Sequence, residues 1–235
     1  MIRILAIGTS EIRVGRKRIR PDSEVLFGLL LYVGVHAGEG ISRERILELL
    51  WSDRALSGRR HALRQVLYRL RQTGVALERE DGTLHLAAAE VEADFTRVLA
   101  QDWPEQAARA DIIAVAELLP GYAPPLPQPF REWLDGLRSR VVAQYRRAVL
   151  VQMNAARREG RWADVEEWSR RCLATDPLNE EATLATAEAT VMTGAKSRAL
   201  DILDEYLGEL GEKGRVIGLP AKVLRRRISE RVNTP

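Results

Sequence analysis

Hydrophobic residues early in the chain fall at every second position. Ile2, Ile4 and Ala6 alternate with other residues, and Ile12 and Val14 precede Gly15 and the basic run Lys17-Arg18-Ile19-Arg20. That period predicts short strands forming a small hairpin-like sheet with a basic tip, which Pro21 ends. From Ser23 the period lengthens. Leu26, Leu29, Leu30 and Val33 follow helical spacing behind Ser23 as N-cap, and Gly38 and Gly40 close that helix. Ser42 caps a second helix, with Arg45 in place of the acidic capping-box partner. Its apolar positions are Ile46, Leu47, Leu49 and Leu50, and it closes on Trp51. A loop holding Ser57-Gly58 then leads into a third helix over residues 59–72. There Leu63, Val66, Leu67 and Leu70 share one sector about 100° wide. The opposite face carries His61, Arg64, Gln65, Tyr68, Arg69 and Gln72, with Arg60 and Arg71 at its edge. Gly74 ends this helix. Residues 75–79 and 84–86 flank Asp81-Gly82, a strong hairpin signal.

The remainder of the chain reads differently. Residues 91–95 are expected to open a helical region that runs almost to the C-terminus. It is broken at residues 119–129, where five prolines forbid a helix and make a stiff, extended connector between helices. Beyond it, Gly160-Arg161-Trp162-Ala163-Asp164-Val165 recurs 34 residues later as Gly194-Ala195-Lys196-Ser197-Arg198-Ala199. Between the two copies, Cys172-Leu173-Ala174-Thr175-Asp176-Pro177 ends one helix and Asn179-Glu180-Glu181-Ala182 opens the next. That period is the tetratricopeptide one, in which paired helices stack and bury a shared core, and two to three imperfect copies are expected. The fold class expected is mainly α with a small β component. Residues 1–88 form the first domain and residues 89–235 an all-helical second one.

Charge sharpens this division. The net charge of +3 hides 15 Lys and Arg against 10 Asp and Glu in residues 1–88, while the remainder holds 21 against 23. Residues 54–72 hold six arginines and no carboxylate. A basic half joined to a slightly acidic half suits one module that meets a polyanion and one that does not. Apolar residues at 46% and charged residues at 29% describe a core-forming chain. The start of the sequence turns polar too quickly for a signal peptide, and the apolar run 25–35 falls short of a membrane span. One cysteine, Cys172, excludes an internal disulfide and any multi-cysteine metal site. A cytoplasmic protein without membrane partners is expected.

Sheet, helix, helix, basic helix, hairpin is the element order of a winged helix preceded by an extra sheet. Taken alone, an arginine-rich helix face is more often simply solvated. Six arginines without an acid, in the recognition position of this element order, favour double-stranded DNA. Arginine donates in bidentate fashion to guanine, glutamine pairs with adenine, and arginines at the margin neutralise phosphates. The candidate DNA-binding residues are therefore Arg60, His61, Arg64, Gln65, Tyr68, Arg69 and Gln72, with Arg79 and Thr83 on the wing as backbone contacts.

The segment Ile41-Ser42-Arg43-Glu44-Arg45-Ile46-Leu47-Glu48-Leu49-Leu50-Trp51 resembles the corresponding helix of OmpR/PhoB-type winged helices. The helix from Arg60 to Arg71 resembles the recognition helix of SARP-type activators. His61 and Tyr68 stand where that family often has Asn and Ser, and the wing residues 81–86 lack its usual Gly-Tyr pair. Target sequence is therefore not carried over. The second half resembles the bacterial transcriptional activator domain found behind such winged helices. The matching residues are Leu119-Pro120-Gly121-Tyr122, the run from Phe130 to Arg140, and Asp176-Pro177-Leu178-Asn179-Glu180-Glu181-Ala182. The resemblance spans both modules in the family's order. It implies a small activator without the ATPase or sensor domains of larger relatives, one that binds direct repeats near promoters and contacts RNA polymerase. The helical module would supply polymerase contacts, homodimer contacts or both.

No enzymatic constellation stands out. His36, His61 and His85 lie in three different elements without metal-ligand spacing, and no phosphate-binding glycine motif occurs. Neither a cofactor nor a metal is expected. Cys172 reads as a core residue, as do Trp133, Trp162 and Trp168. The basic amphipathic stretch 222–228 reads as a solvated last helix, a second DNA contact or a surface for an acidic partner. Two other readings stand beside the activator: a repressor, and a tetratricopeptide-like adaptor whose winged helix does not read DNA.

Overall fold

The computed structural model describes residues 1–77, 82–115, 117–212 and 219–230. The chain forms two compact units, residues 1–101 with 113–141 and residues 102–112 with 142–235. These units are cut elsewhere than at the expected boundary after residue 88, because residues 113–141 return to pack on the N-terminal elements.

The first unit begins with three short antiparallel strands, β1 (Ile2–Leu5), β2 (Glu11–Val14) and β3 (Lys17–Ile19), in the register Ile4 opposite Ile12 and Ile12 opposite Ile19. These isoleucines and Ile2 form the buried face, as the alternation predicts. A fourth strand, β4 (Val91–Ala93), lies parallel to β1 and completes the order β3-β2-β1-β4. This corrects the expectation of a helix opening at residue 91. The strand is locked by Asp94, whose carboxylate accepts the Ala6 amide at 2.9 Å and the Ile7 amide at 3.1 Å.

Helix α1 (Glu24–Val35) is buried almost all round, from Phe27 to Gly34, instead of along one stripe. The sheet covers one side: a Cβ on Gly34 would stand 2.4 Å from Ile4 Cδ1. The proline connector and the start of α6 (Gln128–Arg158) cover another, since a Cβ on Gly28 would meet Leu126, Phe130 and Tyr122 at 3.1 Å each. Phe27 and Tyr122 approach ring to ring at 4.7 Å, and Tyr32 meets Trp133 edge-on at 4.9 Å. Trp133 thus packs in the first unit and not in a repeat-like helix. Burial also pushes the Tyr122 phenol well above its ordinary range. Leu119 adopts a left-handed φ of +53°, a conformation costly for a branched side chain. Arg138 on α6 holds that turn, donating to the carbonyls of Leu118 at 3.3 Å, Leu119 at 3.1 Å and Tyr122 at 2.6 Å.

The second unit contains the C-terminal part of α6 and four further helices. These are α7 (Trp162–Thr175), α8 (Glu180–Met192), α9 (Lys196–Glu212) and α10 (Leu219–Glu230), preceded in sequence by the short α4 (Trp103–Gln106) and α5 (Arg109–Ala114). Gly160 and Gly194, the two turn glycines of the repeat, both take left-handed φ values, +69° and +92°. Each ends the helix before it and lets α7 and α9 begin in equivalent positions. The two helix pairs α7/α8 and α9/α10 are the repeat read from the sequence. Ala187, Ala199, Leu203, Tyr206, Leu210, Ala221 and Ile228 form a core shared by α8, α9 and α10. No helix among the described residues is long and apolar enough to cross a membrane.

Candidate nucleic-acid interface

Helix α2 (Arg43–Trp51) and helix α3 (Leu56–Thr73) stand after α1 in the first unit. Ser42 caps α2 by accepting the Arg45 amide at 3.2 Å. Ile46, Leu47, Leu49, Leu50 and Trp51 are all buried. Helix α3 starts three residues earlier than the sequence suggests, absorbing Ser57 and Gly58 into its first turn, with Ala55 as a non-hydrogen-bonding cap. Arg59 donates to the carbonyls of Arg54 at 2.5 Å and Ser52 at 2.7 Å. Arg59 is therefore engaged in holding the loop before α3. At the far end Gly74 takes φ +91° and returns its amide to Arg71 O at 2.9 Å, a left-handed helix stop.

The faces of α3 are divided as expected. Leu63, Val66, Leu67 and Leu70 are buried. Arg60, His61, Arg64, Gln65, Tyr68, Arg69 and Gln72 are all exposed, and Tyr68 keeps 63% of its surface open to solvent. Eighteen residues at 1.5 Å each make a rod about 27 Å long, ample to lie across a major groove about 12 Å wide. His61 and Gln65, one turn apart, join their side chains at 2.9 Å. Among the described residues no carboxylate pairs with Arg60, Arg64 or Arg69. A concavity of about 650 Å³ runs over His61, Arg64, Gln65, Tyr68 and Arg69. A second, of about 590 Å³, opens between α2 and α3 and is walled by Arg43, Glu44, Ser57, Arg60 and Arg64.

Two contacts that the sequence pattern does not reveal frame this face. Arg43 donates to Gly82 O at 3.0 Å, tying the start of α2 to the wing. Lys17, from the basic tip of the N-terminal sheet, donates to Gln72 O at 2.6 Å, setting a cation on the carbonyl end of α3 where the helix dipole favours it. Both residues are basic, but their partners lie far along the chain, so only the fold brings them together.

The wing departs from the simple hairpin. His85 donates to Leu77 O at 2.7 Å, as a hairpin would have it. Leu84, however, exchanges both backbone hydrogen bonds with Ile41 at 2.8 Å, so the returning segment pairs with the residue before α2. Thr83 is half-buried beside Gly40. Arg79 and Asp81 lie outside the described residues. Cys172 is fully buried on α7, and burial pushes its thiol up to about 11, which suits a packing residue and not a nucleophile. No group of His, Cys, Asp and Glu capable of holding a metal occurs among the described residues.

No protein-family model and no curated protein matches this chain in sequence. A solved structure does: Mycobacterium tuberculosis EmbR, determined in complex with a low-affinity phosphopeptide, superposes with a TM-score of 0.71 over 98% of this chain at 16% sequence identity. The chain spans 65% of the length of that EmbR chain. The likeness establishes a fold shared with EmbR: a small sheet and winged helix followed by stacked helices, the element order read from the sequence.

Proposed function

We propose that this protein is a sequence-specific DNA-binding transcription regulator of the SARP type, an activator that docks α3 in the major groove. The observation that carries the reading is α3 itself: one side buried, the other fully exposed, with three arginines free of carboxylate partners among the described residues. Arg64 and Gln65 stand where they can meet base edges, and Arg60, Arg69 and Gln72 on either side of them meet the backbone. Arg79 and Thr83 are assigned backbone contacts from the wing. The regulator-type fold shared with EmbR supports the same reading. Residues 1–88 then carry the DNA-binding function, and the helical module from residue 89 carries RNA polymerase contacts, homodimer contacts or both, in the cytoplasm and without catalysis or cofactor.

Selection of bound sequences from a random duplex pool at physiological salt tests the reading. An enriched motif, in direct repeats about one helical turn apart, is expected. Enrichment of nothing, with only salt-sensitive residual binding, would replace it with the adaptor reading, in which the winged helix does not read sequence.

A further inference from the structure

The basic helix α10 is the element whose role the sequence leaves open. Its cations are not equivalent. Arg225 is engaged by Asp204 of α9 in a two-pronged ion pair, and Arg226 is paired with Glu230 one turn on at 2.6 Å. Arg227 points elsewhere. It lines an open cavity of about 590 Å³ whose walls come from α7, α8, α9 and α10.

The cavity has an apolar floor and a charged rim. Trp162, Val191, Met192, Leu224 and Ile228 make the floor, and Met192 keeps 59% of its surface exposed. Trp162 is only half-buried, so it is not the core residue that its helical spacing suggests. Glu188 on the wall is paired with Arg157, and Glu230 with Arg226, so both carboxylates are already compensated. The two remaining charges are Lys196 and Arg227, and neither has an acidic partner among the described residues. A volume of this size lies within the range that holds small organic ligands, with apolar walls for affinity and a few polar groups for orientation.

We propose that this cavity binds a small amphipathic organic anion. Its apolar body lies on Trp162, Val191 and Leu224, and its carboxylate, sulfonate or phosphate is held by Lys196 and Arg227. The charge pattern selects this class. Lys196 and Arg227 are both exposed and attract an anion, whereas a cation would be repelled by them. The inference stands independently of the DNA reading, since every residue it uses lies in the second unit.

The test is a fluorescence titration of the full chain with two probes of the same ring system, anilinonaphthalene sulfonate and the uncharged phenylnaphthylamine. The sulfonate is expected to bind saturably at one site, about tenfold tighter than the neutral probe, a ratio worth one decade of affinity. The double variant Lys196→Glu/Arg227→Glu is expected to erase that preference while leaving the neutral probe's affinity unchanged. Lys196→Glu suits the first turn of α9, whereas Arg227→Glu sets a carboxylate in the last turn of α10, so far-ultraviolet circular dichroism of the variant is the check that it folds. Retained neutral-probe binding then shows that the floor is intact. Equal affinity for the two probes in the unaltered protein, or a double variant that still prefers the sulfonate, overturns the proposal. The first of these outcomes marks the floor as an apolar surface for a protein partner instead. Affinity of the same variants for a selected DNA site reports separately on the DNA reading.

Discussion

Arginine is abundant both in α3 and in the helices of the second unit, yet it behaves differently in the two places. On α3, Arg60, Arg64 and Arg69 project to solvent without acidic partners among the described residues. In the second unit most of the described arginines are matched to a carboxylate. Arg109 lies between Asp164 and Glu167 and over the Trp168 ring at 5.0 Å, Arg146 meets Asp176 at 2.9 Å, and Arg170 meets Glu166 at 3.0 Å. Net charge alone would separate these regions only weakly. The pairing of the guanidinium groups separates them better: matched arginines hold their own fold, and the unmatched ones on α3 are those we propose meet DNA.

This contrast can be broken in order of effect. The largest change is expected at Arg138, which belongs with the matched group through three carbonyls and Asp135. Arg138→Ala removes three donors from the left-handed turn at Leu119 and should lower unfolding free energy by about 2–4 kcal/mol, read by urea titration. An unchanged midpoint would show that the turn holds itself. Next come the unmatched arginines. Arg60→Ala and Arg69→Ala should leave the melting temperature unchanged while each flattens the dependence of DNA affinity on salt by about one ion, as phosphate contacts do. A steeper loss of stability than of binding would move these residues into the matched group. Smaller still is the effect at Arg109. Its partners are surface carboxylates, so Arg109→Ala should cost only about 0.5–1 kcal/mol despite the ring contact, and less at high salt. The smallest effect concerns Cys172. With its thiol pushed up to about 11 from an ordinary 9, the thiolate is about a hundredfold scarcer at neutral pH, and burial denies access as well. A thiol reagent should label it only as the protein unfolds, and labelling in the native state would place Cys172 at the surface. Because the unfolded chain loses this proton first, the folded state should lose stability between about pH 9 and 11.

The two regions were also unequally legible. The two faces of α3 could be read residue by residue, because an 18-residue helix repeats its period several times. So could the Gly160 and Gly194 turns, since an internal repeat shows itself by self-comparison. Strand β4 could not. Three residues display no period, and Val91 becomes a strand only because β1, at the other end of the unit, offers an open edge. The near-total burial of α1 was likewise hidden, because its covering residues Tyr122, Leu126 and Phe130 come from a proline-rich stretch that reads as a bare connector. Trp162 shows the same limit from the other side. Spacing marks it as apolar and inward, but whether inward means core or cavity wall depends on where α10 lies. Side chains whose partners are local in sequence are predictable from pattern, and those whose partners are distant are not.

The central claim is that Arg64 reads a base while its unmatched neighbours neutralise backbone. Its most direct test is the affinity of Arg64→Ala for a selected duplex and for single-position variants of that duplex. The account predicts a loss of about 1–3 kcal/mol on the selected duplex and discrimination relaxed at one base pair only. Equal weakening on every duplex, with discrimination intact at all positions, would contradict it and leave Arg64 as a phosphate contact.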